Sequence, residues 1–260
     1  MIPPLLIRSV GVPKRPYVYL DHWALSDFSE KPALRERVLR VLGRGTLMVS
    51  MLNMLETARM SGTSVESIAS FLDEVGSNWA PIVLSSGAVR RRERDGILFP
   101  WRDELNMPVL LVAPRVQWKP GVLVRRLQEP WAADVLAKWE DTEVGDLSRL
   151  LKDARDRYRA GTLKLDRTND IPDHLDTRSV FGTIIQRFVR GSGKLGRNNI
   201  EDLLHTCVPV AHADVVFLDG PTKRQLLDRL QTPAKVYSAS EVEDGLEYLE
   251  AGWPPESPAC

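Results

Sequence analysis

Two cysteines in 260 residues, Cys207 and the terminal Cys260, leave no disulfide framework and no zinc-binding spacing. A reducing compartment fits, and the expected location is the cytoplasm. Net charge is also missing: 35 Lys and Arg balance 35 Asp and Glu. No overall field draws the chain to nucleic acid or to an anionic membrane, so any such contact must use local patches. Long apolar runs are absent too. The opening MIPPLLIRSVGVPKRP is apolar only briefly and is broken by Pro3, Pro4, Pro13 and Pro16, which reads as neither a signal peptide nor a membrane span. Hydrophobic residues make up 43% of the chain, enough for a real core and too many for global disorder.

Short apolar runs alternate with helical patterns. Tyr17 to Leu20, TLMVS (46–50), VVFL (215–218) and KVYS (235–238) read as strands. Helical spacing or stop signals appear over Pro32 to Leu42, 51–60, 63–75 and Pro221 to Leu230, with capping boxes read at TSVE (63–66) and SEVE (240–243). Strand and helix in alternation predict a three-layer α/β/α fold around a central parallel sheet. Residues 76–130 are irregular, with PVLLVAP (108–114) as one further candidate strand. Helices are expected at Ala132 to Trp139, Asp146 to Arg159, Thr177 to Arg190 and Asn199 to Cys207. The expected organisation is a single domain over 1–252, its core at about 15–75 and 195–250, with a largely helical insertion at about 76–195. PPESPAC at the end is expected to be a disordered tail, 253–260.

In a parallel α/β sheet, ligands bind beyond the carboxyl ends of the strands. Asp21 directly follows the first strand. Glu56 lies on the helix after TLMVS, Asp202 in the first turn of the helix before VVFL, and Asp219 directly after VVFL. Four carboxylates at one rim repel each other and raise their own pKa values unless a cation neutralises them, and carboxylate oxygens suit Mg²⁺ or Mn²⁺. Asp214 belongs to the other end of its strand, about 16 Å from Asp219 at roughly 3.3 Å per residue.

Each acid also has an ordinary reading. Asp21 can cap the next segment, Glu56 can be a solvated helix residue, Asp202 can complement a helix dipole, and Asp219 can begin the turn DGPT. His205, one turn beyond Asp202, can orient a ligand or can simply be a packing residue. Ser50 and Asn53 can touch a phosphate or can cap a helix. Thr222 and Lys223 open a helix at the same rim, where an anion is favoured. The run VRRRER, with Arg90, Arg91 and Arg92, and the stretch QRFVRGSGKLGRNN are candidate nucleic-acid contacts or solvated faces. Trp79, Trp101, Trp118, Trp131 and Trp139 can stack bases or fill the interior.

VYLDHWAL, LMVSMLNMLETA and NNIEDLLHTCVPVAHADVVFLDGPTKRQL together resemble the PIN domain, a metal-dependent ribonuclease fold, over about residues 15–75 and 195–250. Asp21, Glu56, Asp202 with His205, and Asp219 match the family's acidic positions. His22 and Leu218 stand where the family often carries hydroxyl residues. The resemblance implies an enlarged member that hydrolyses phosphodiesters, RNA above all, with Mg²⁺ or Mn²⁺ held by Asp21, Glu56, Asp202 and Asp219. It further implies a homodimer and a protein partner such as an antitoxin. The alternative within the same fold is an inactive module that binds RNA or protein. A phosphoaspartyl phosphatase is disfavoured by Trp23 where a second Asp is needed, and a receiver domain by Ser50 at the end of the second strand.

Overall fold

The computed structural model describes residues 12–60, 62–103, 120–165, 177–191, 196–227, 230 and 232–253. Five strands form one parallel sheet in the order β3-β2-β1-β4-β5. They are β1 Tyr17–Leu20, β2 Thr46–Ser50, β3 Trp79–Ile82, β4 Val215–Phe217 and β5 Lys235–Tyr237. The central strands are buried on both faces, as in a parallel sheet covered by helices: Val18, Tyr19, Leu47, Val49, Val215 and Phe217 are all 1% exposed or less.

On one face lie α1 (His22–Glu30), α2 (Pro32–Leu42), α4 (Thr63–Val75) and α11 (Val242–Gly252), packed on one another. The other carries α5 (Ser86–Arg94), α7 (Pro130–Arg159), α8 (Thr177–Arg190), α9 (Arg197–His212) and α10 (Gly220–Leu227). Two further helices, α3 (Met51–Arg59) and α6 (Pro120–Leu127), pack together, and α6 also lies along α4. The result is the expected three-layer α/β/α architecture.

Several elements differ from the sequence reading. Trp79–Ile82 pairs with β2, so the sheet extends into the segment expected to be an insertion. Its Pro81 and single turn of apolar residues hid it, because an edge strand tolerates a proline that a central strand does not. The expected helices at Ala132 to Trp139 and Asp146 to Arg159 are one continuous helix, α7. A helix unassigned in the sequence, α1, starts at His22 with Asp21 as its cap. Helix α9 runs through Pro209 to His212 because Val208, Val210 and Ala211 are buried there and packing outweighs the lost backbone bond. The caps also shift. Helix α4 starts from Gly62, at φ 86°, with no side-chain cap, and Ser238 with Glu241 forms the box assigned to SEVE. The proposed strand at 108–114 and nearly all of the tail lie outside the described residues.

Topology selects one place on this sheet. The chain winds outward from β1 to β2 and β3, then returns to β4 beside β1 and winds the other way. The crevice between the carboxyl ends of β1 and β4 is therefore the switch point.

Candidate metal centre at the switch point

Asp21 and Asp219 flank that crevice. The Asp21 N–H donates to the Phe217 carbonyl of β4 at 2.9 Å, so the backbone ladder holds Asp21 in place one residue beyond its strand. Its carboxylate accepts the His22 N–H at 2.7 Å through Oδ1 and the Asp219 N–H at 3.4 Å through Oδ2. Asp219 in turn accepts the Thr222 N–H and so caps α10. Capping and convergence thus coexist in both acids: the hydrogen bond that starts each helix also fixes a carboxylate at the rim.

Glu56 comes from α3. That helix is anchored by Ser50 and Asn53, which cap each other reciprocally, while Asn53 Nδ2 reaches back to the Leu20 carbonyl at 3.3 Å. The structure thus uses Ser50 and Asn53 as a buried bracket between β1 and α3. Glu56 Oε1 lies 3.4 Å from His205 Nε2. His205, 3% exposed, presents its other ring nitrogen, Nδ1, to the Tyr19 hydroxyl at 2.5 Å. One ligand atom from each of Asp21, Glu56 and His205 falls within 4.8 Å of the others, a group that can hold a metal ion.

The electrostatics reflect this crowding. Burial raises the Asp21 carboxyl; His205 and the His22 N–H oppose the rise, and Glu56 and Asp219 add to it. Asp202, half-buried on α9, is pushed up to about 7, first by burial and then by Asp219 and Asp21, with Glu56 adding less. Burial alone lowers the His205 imidazole, but Glu56, Asp21 and Asp202 outweigh it and the net shift is upward. Four acids and one imidazole therefore share one electrostatic environment, and a divalent cation would relieve their repulsion. Hard carboxylate oxygens with one imidazole make a donor set that fits such an ion.

The other candidates are distributed differently. Thr222 is buried, and it is its backbone that meets Asp219. Lys223 Nζ lies 2.6 Å from Glu241 Oε2. Burial works to raise Glu241, yet Lys223 and Ser238 dominate and hold it at about 2. Lys223, Arg224, Ser238 and Glu241 line a groove of about 430 Å³ beside Asp219.

The arginine run is not brought to the acids. It occupies the second half of α5, where Arg92 donates to the Arg102 carbonyl at 2.5 Å, and its neighbour Glu93 lies 3.0 Å from His212. His212 ends α9 where the chain turns into β4, and Asp214 N donates there to Tyr17 O at the start of β1. That is the amino end of the sheet, opposite the carboxylates. Arg90 is half-buried on the same helix, and Arg91 is exposed. Asp214 itself accepts the Tyr17 N–H at 2.7 Å and pairs with Arg15 at 3.0 Å, at that same far end. Trp79 and Trp101 are interior residues, each 2% exposed, while Trp118 and the side chains of Trp131 and Trp139 lie outside the described residues.

Tyr19 escaped the sequence reading. Its signal was available: a tyrosine in mid-strand, two residues before the acid, must find a partner for a buried hydroxyl, and that partner is a site histidine. Comparison with family models, with curated proteins and with solved structures finds no match to this chain, so the geometry of the rim carries the functional argument.

Proposed function

We propose that the protein is a divalent-metal-dependent nuclease that hydrolyses phosphodiester bonds, with RNA as the favoured substrate. The observation that carries the reading is the pairing of Asp21 and Asp219 across the switch point, 3.4 Å from carboxylate to backbone N–H, with Glu56 and Asp202 in the same field. Carboxylates gathered in this way bind Mg²⁺ or Mn²⁺, and such an ion supplies Lewis-acid stabilisation of phosphoryl charge and a water acidified for in-line attack.

The chain's own residues give this chemistry its geometry. Asp21 and Asp219 are fixed by backbone N–H donors, and Glu56 is carried on a helix bracketed by Ser50 and Asn53. Two side-chain nucleophiles are withdrawn from the chemistry: Cys207 is 1% exposed with its thiol pushed up by burial, and the Ser50 hydroxyl donates to Asn53. Among the described residues, no helix is long and apolar enough to cross a membrane. The likeness of the rim motifs to PIN domains supports RNA over DNA and extends the proposal to a homodimer and to a protein partner of the antitoxin kind, acting in the cytoplasm.

The test is cleavage of single-stranded RNA and DNA by the purified protein with Mn²⁺ or Mg²⁺. Asp21→Asn and Asp202→Asn are expected to lose cleavage while keeping the circular dichroism spectrum of the parent. Parental cleavage in either variant would remove that residue from the site. No metal-dependent cleavage of either polymer by the parent would sink the nuclease reading.

A further inference from the structure

His205 has the wrong surroundings for a packing histidine. Its ring is 3% exposed, so each nitrogen needs a partner inside the protein. Nδ1 has one, the Tyr19 hydroxyl at 2.5 Å. Nε2 makes no hydrogen bond among the described residues; it lies 3.4 Å from Glu56 Oε1, an ion pair when the ring is protonated and an open nitrogen when it is neutral, on the side where Asp21 also lies. A buried ring nitrogen aimed among carboxylates is a ligand position.

We infer that His205 is a nitrogen ligand of the cation bound by Asp21 and Glu56, oriented by the Tyr19 hydroxyl, and that the centre therefore prefers a transition-metal ion over Mg²⁺. The inference rests on the reading of this rim as a metal centre. Donor atoms around one ion at about 2.0–2.2 Å lie up to about 4.4 Å apart. The three candidate atoms, within 4.8 Å of one another, need only a small closing movement.

Metal-bound histidines almost always engage their second ring nitrogen with an orienting partner, and such partners are worth about 10–100-fold in metal affinity. Tyr19 is placed for that task. In the tautomer protonated at Nδ1, the Tyr19 hydroxyl accepts from Nδ1–H and the Nε2 lone pair is left for the metal. Imidazole favours the transition metals, whereas Mg²⁺ is content with oxygen alone, so a mixed donor set separates the two.

Mn²⁺ is the probe. Binding to the full chain is measured by electron paramagnetic resonance, with Mg²⁺ as competitor, and pulsed spectra report any imidazole ¹⁴N coupled to the bound ion. The expected result is a ¹⁴N coupling in the parent that disappears in His205→Gln. That variant should bind Mn²⁺ more than tenfold more weakly and Mg²⁺ at most a few-fold more weakly. Tyr19→Phe should keep the coupling and lose about 10–100-fold in Mn²⁺ affinity. Bound Mn²⁺ without ¹⁴N coupling in the parent overturns the inference and leaves an all-oxygen metal centre, and this result needs no variant to fold. An unchanged Mn²⁺ to Mg²⁺ ratio in His205→Gln overturns it as well. Failure of the parent to bind either ion, or unaltered Mn²⁺ affinity in Asp21→Asn, removes the metal centre itself, and the inference with it.

Discussion

At the residue scale, the acidic rim trades stability for binding. Asp202 has an ordinary value of 3.8 and is pushed up to about 7 in the folded chain, so between those values the native state holds a proton that the unfolded chain has released. Stability from this group is greatest below about pH 4 and is lost as pH rises through 7. The metal-free protein should therefore have a lower urea midpoint at pH 8 than at pH 5, and Asp202→Asn should narrow that difference. Equal pH dependence in parent and variant would mean that the carboxyl carries no such penalty. Gly245 is governed by a different force, close packing: a methyl group there would sit 2.8 Å from the Phe217 ring and 2.9 Å from Tyr237 Cγ. Gly245→Ala is expected to cost about 1–3 kcal/mol by overpacking, seen as a lower denaturation midpoint with metal affinity unchanged.

At the scale of elements, α9 joins two chemically distinct ends. His205 belongs to the acidic rim, and His212, seven residues on and about 10 Å along the helix, belongs to a half-buried polar tie. There the Thr177 hydroxyl meets Glu93 at 2.7 Å and His212 at 2.6 Å, so α5, α8 and α9 are pinned together. Glu93→Ala leaves that cluster short of an acceptor and should destabilise the fold by about 1–3 kcal/mol, read from urea denaturation, with Mn²⁺ affinity unaltered. The same geometry separates the basic residues. Arg224 lines the groove beside Asp219, while the arginines of α5 lie toward the other end. For a nuclease acting at the rim, Arg224→Ala should flatten the slope of log affinity against log salt by about 0.7 on single-stranded RNA. Arg91→Ala should leave it unchanged. The reverse pattern would place the substrate along α5.

For the whole molecule, a metal at the switch point should act as a clamp on the sheet. Asp21 follows β1, Asp219 follows β4, and Glu56 and Asp202 arrive on α3 and α9, so a single ion would tie together segments far apart in the chain. An ion at 100 times its dissociation constant stabilises by about 2.7 kcal/mol, which for a protein of this size is a melting-temperature rise of roughly 5–10 °C. Saturating Mn²⁺ should produce that rise and a chelator should reverse it. A melting temperature indifferent to both would place binding outside the cooperative fold.

Much of this was legible in the residues themselves. Four of the five strands, helix α2 from Pro32 to its stop at Gly43 and helix α8 over Thr177–Arg190 follow from apolar spacing and punctuation, because these patterns are local and so are the forces they report. The position of Asp21 and Asp219 just past buried strands was local in the same way. What a linear reading missed was whatever depends on neighbours distant in sequence. The edge strand Trp79–Ile82 exists because β2 offers it a ladder, and α9 continues past Pro209 because its buried face outweighs one missing hydrogen bond. Thr63 and Ser240 matched a capping pattern, yet the chain path set by packing put the caps at Gly62 and Ser238. The basic run was a candidate nucleic-acid contact, and only the direction of α5 and α9 sets it toward the other end of the sheet from the acids. Tyr19 and His205 stand 186 positions apart, and no spacing rule connects them. Their contact exists because parallel pairing of β1 with β4 brings the helix that precedes β4 over β1. Composition and periodicity determined the layers and the rim; tertiary packing alone decided which side chains meet there, since burial strips each polar group of water and leaves it only the partners the fold supplies.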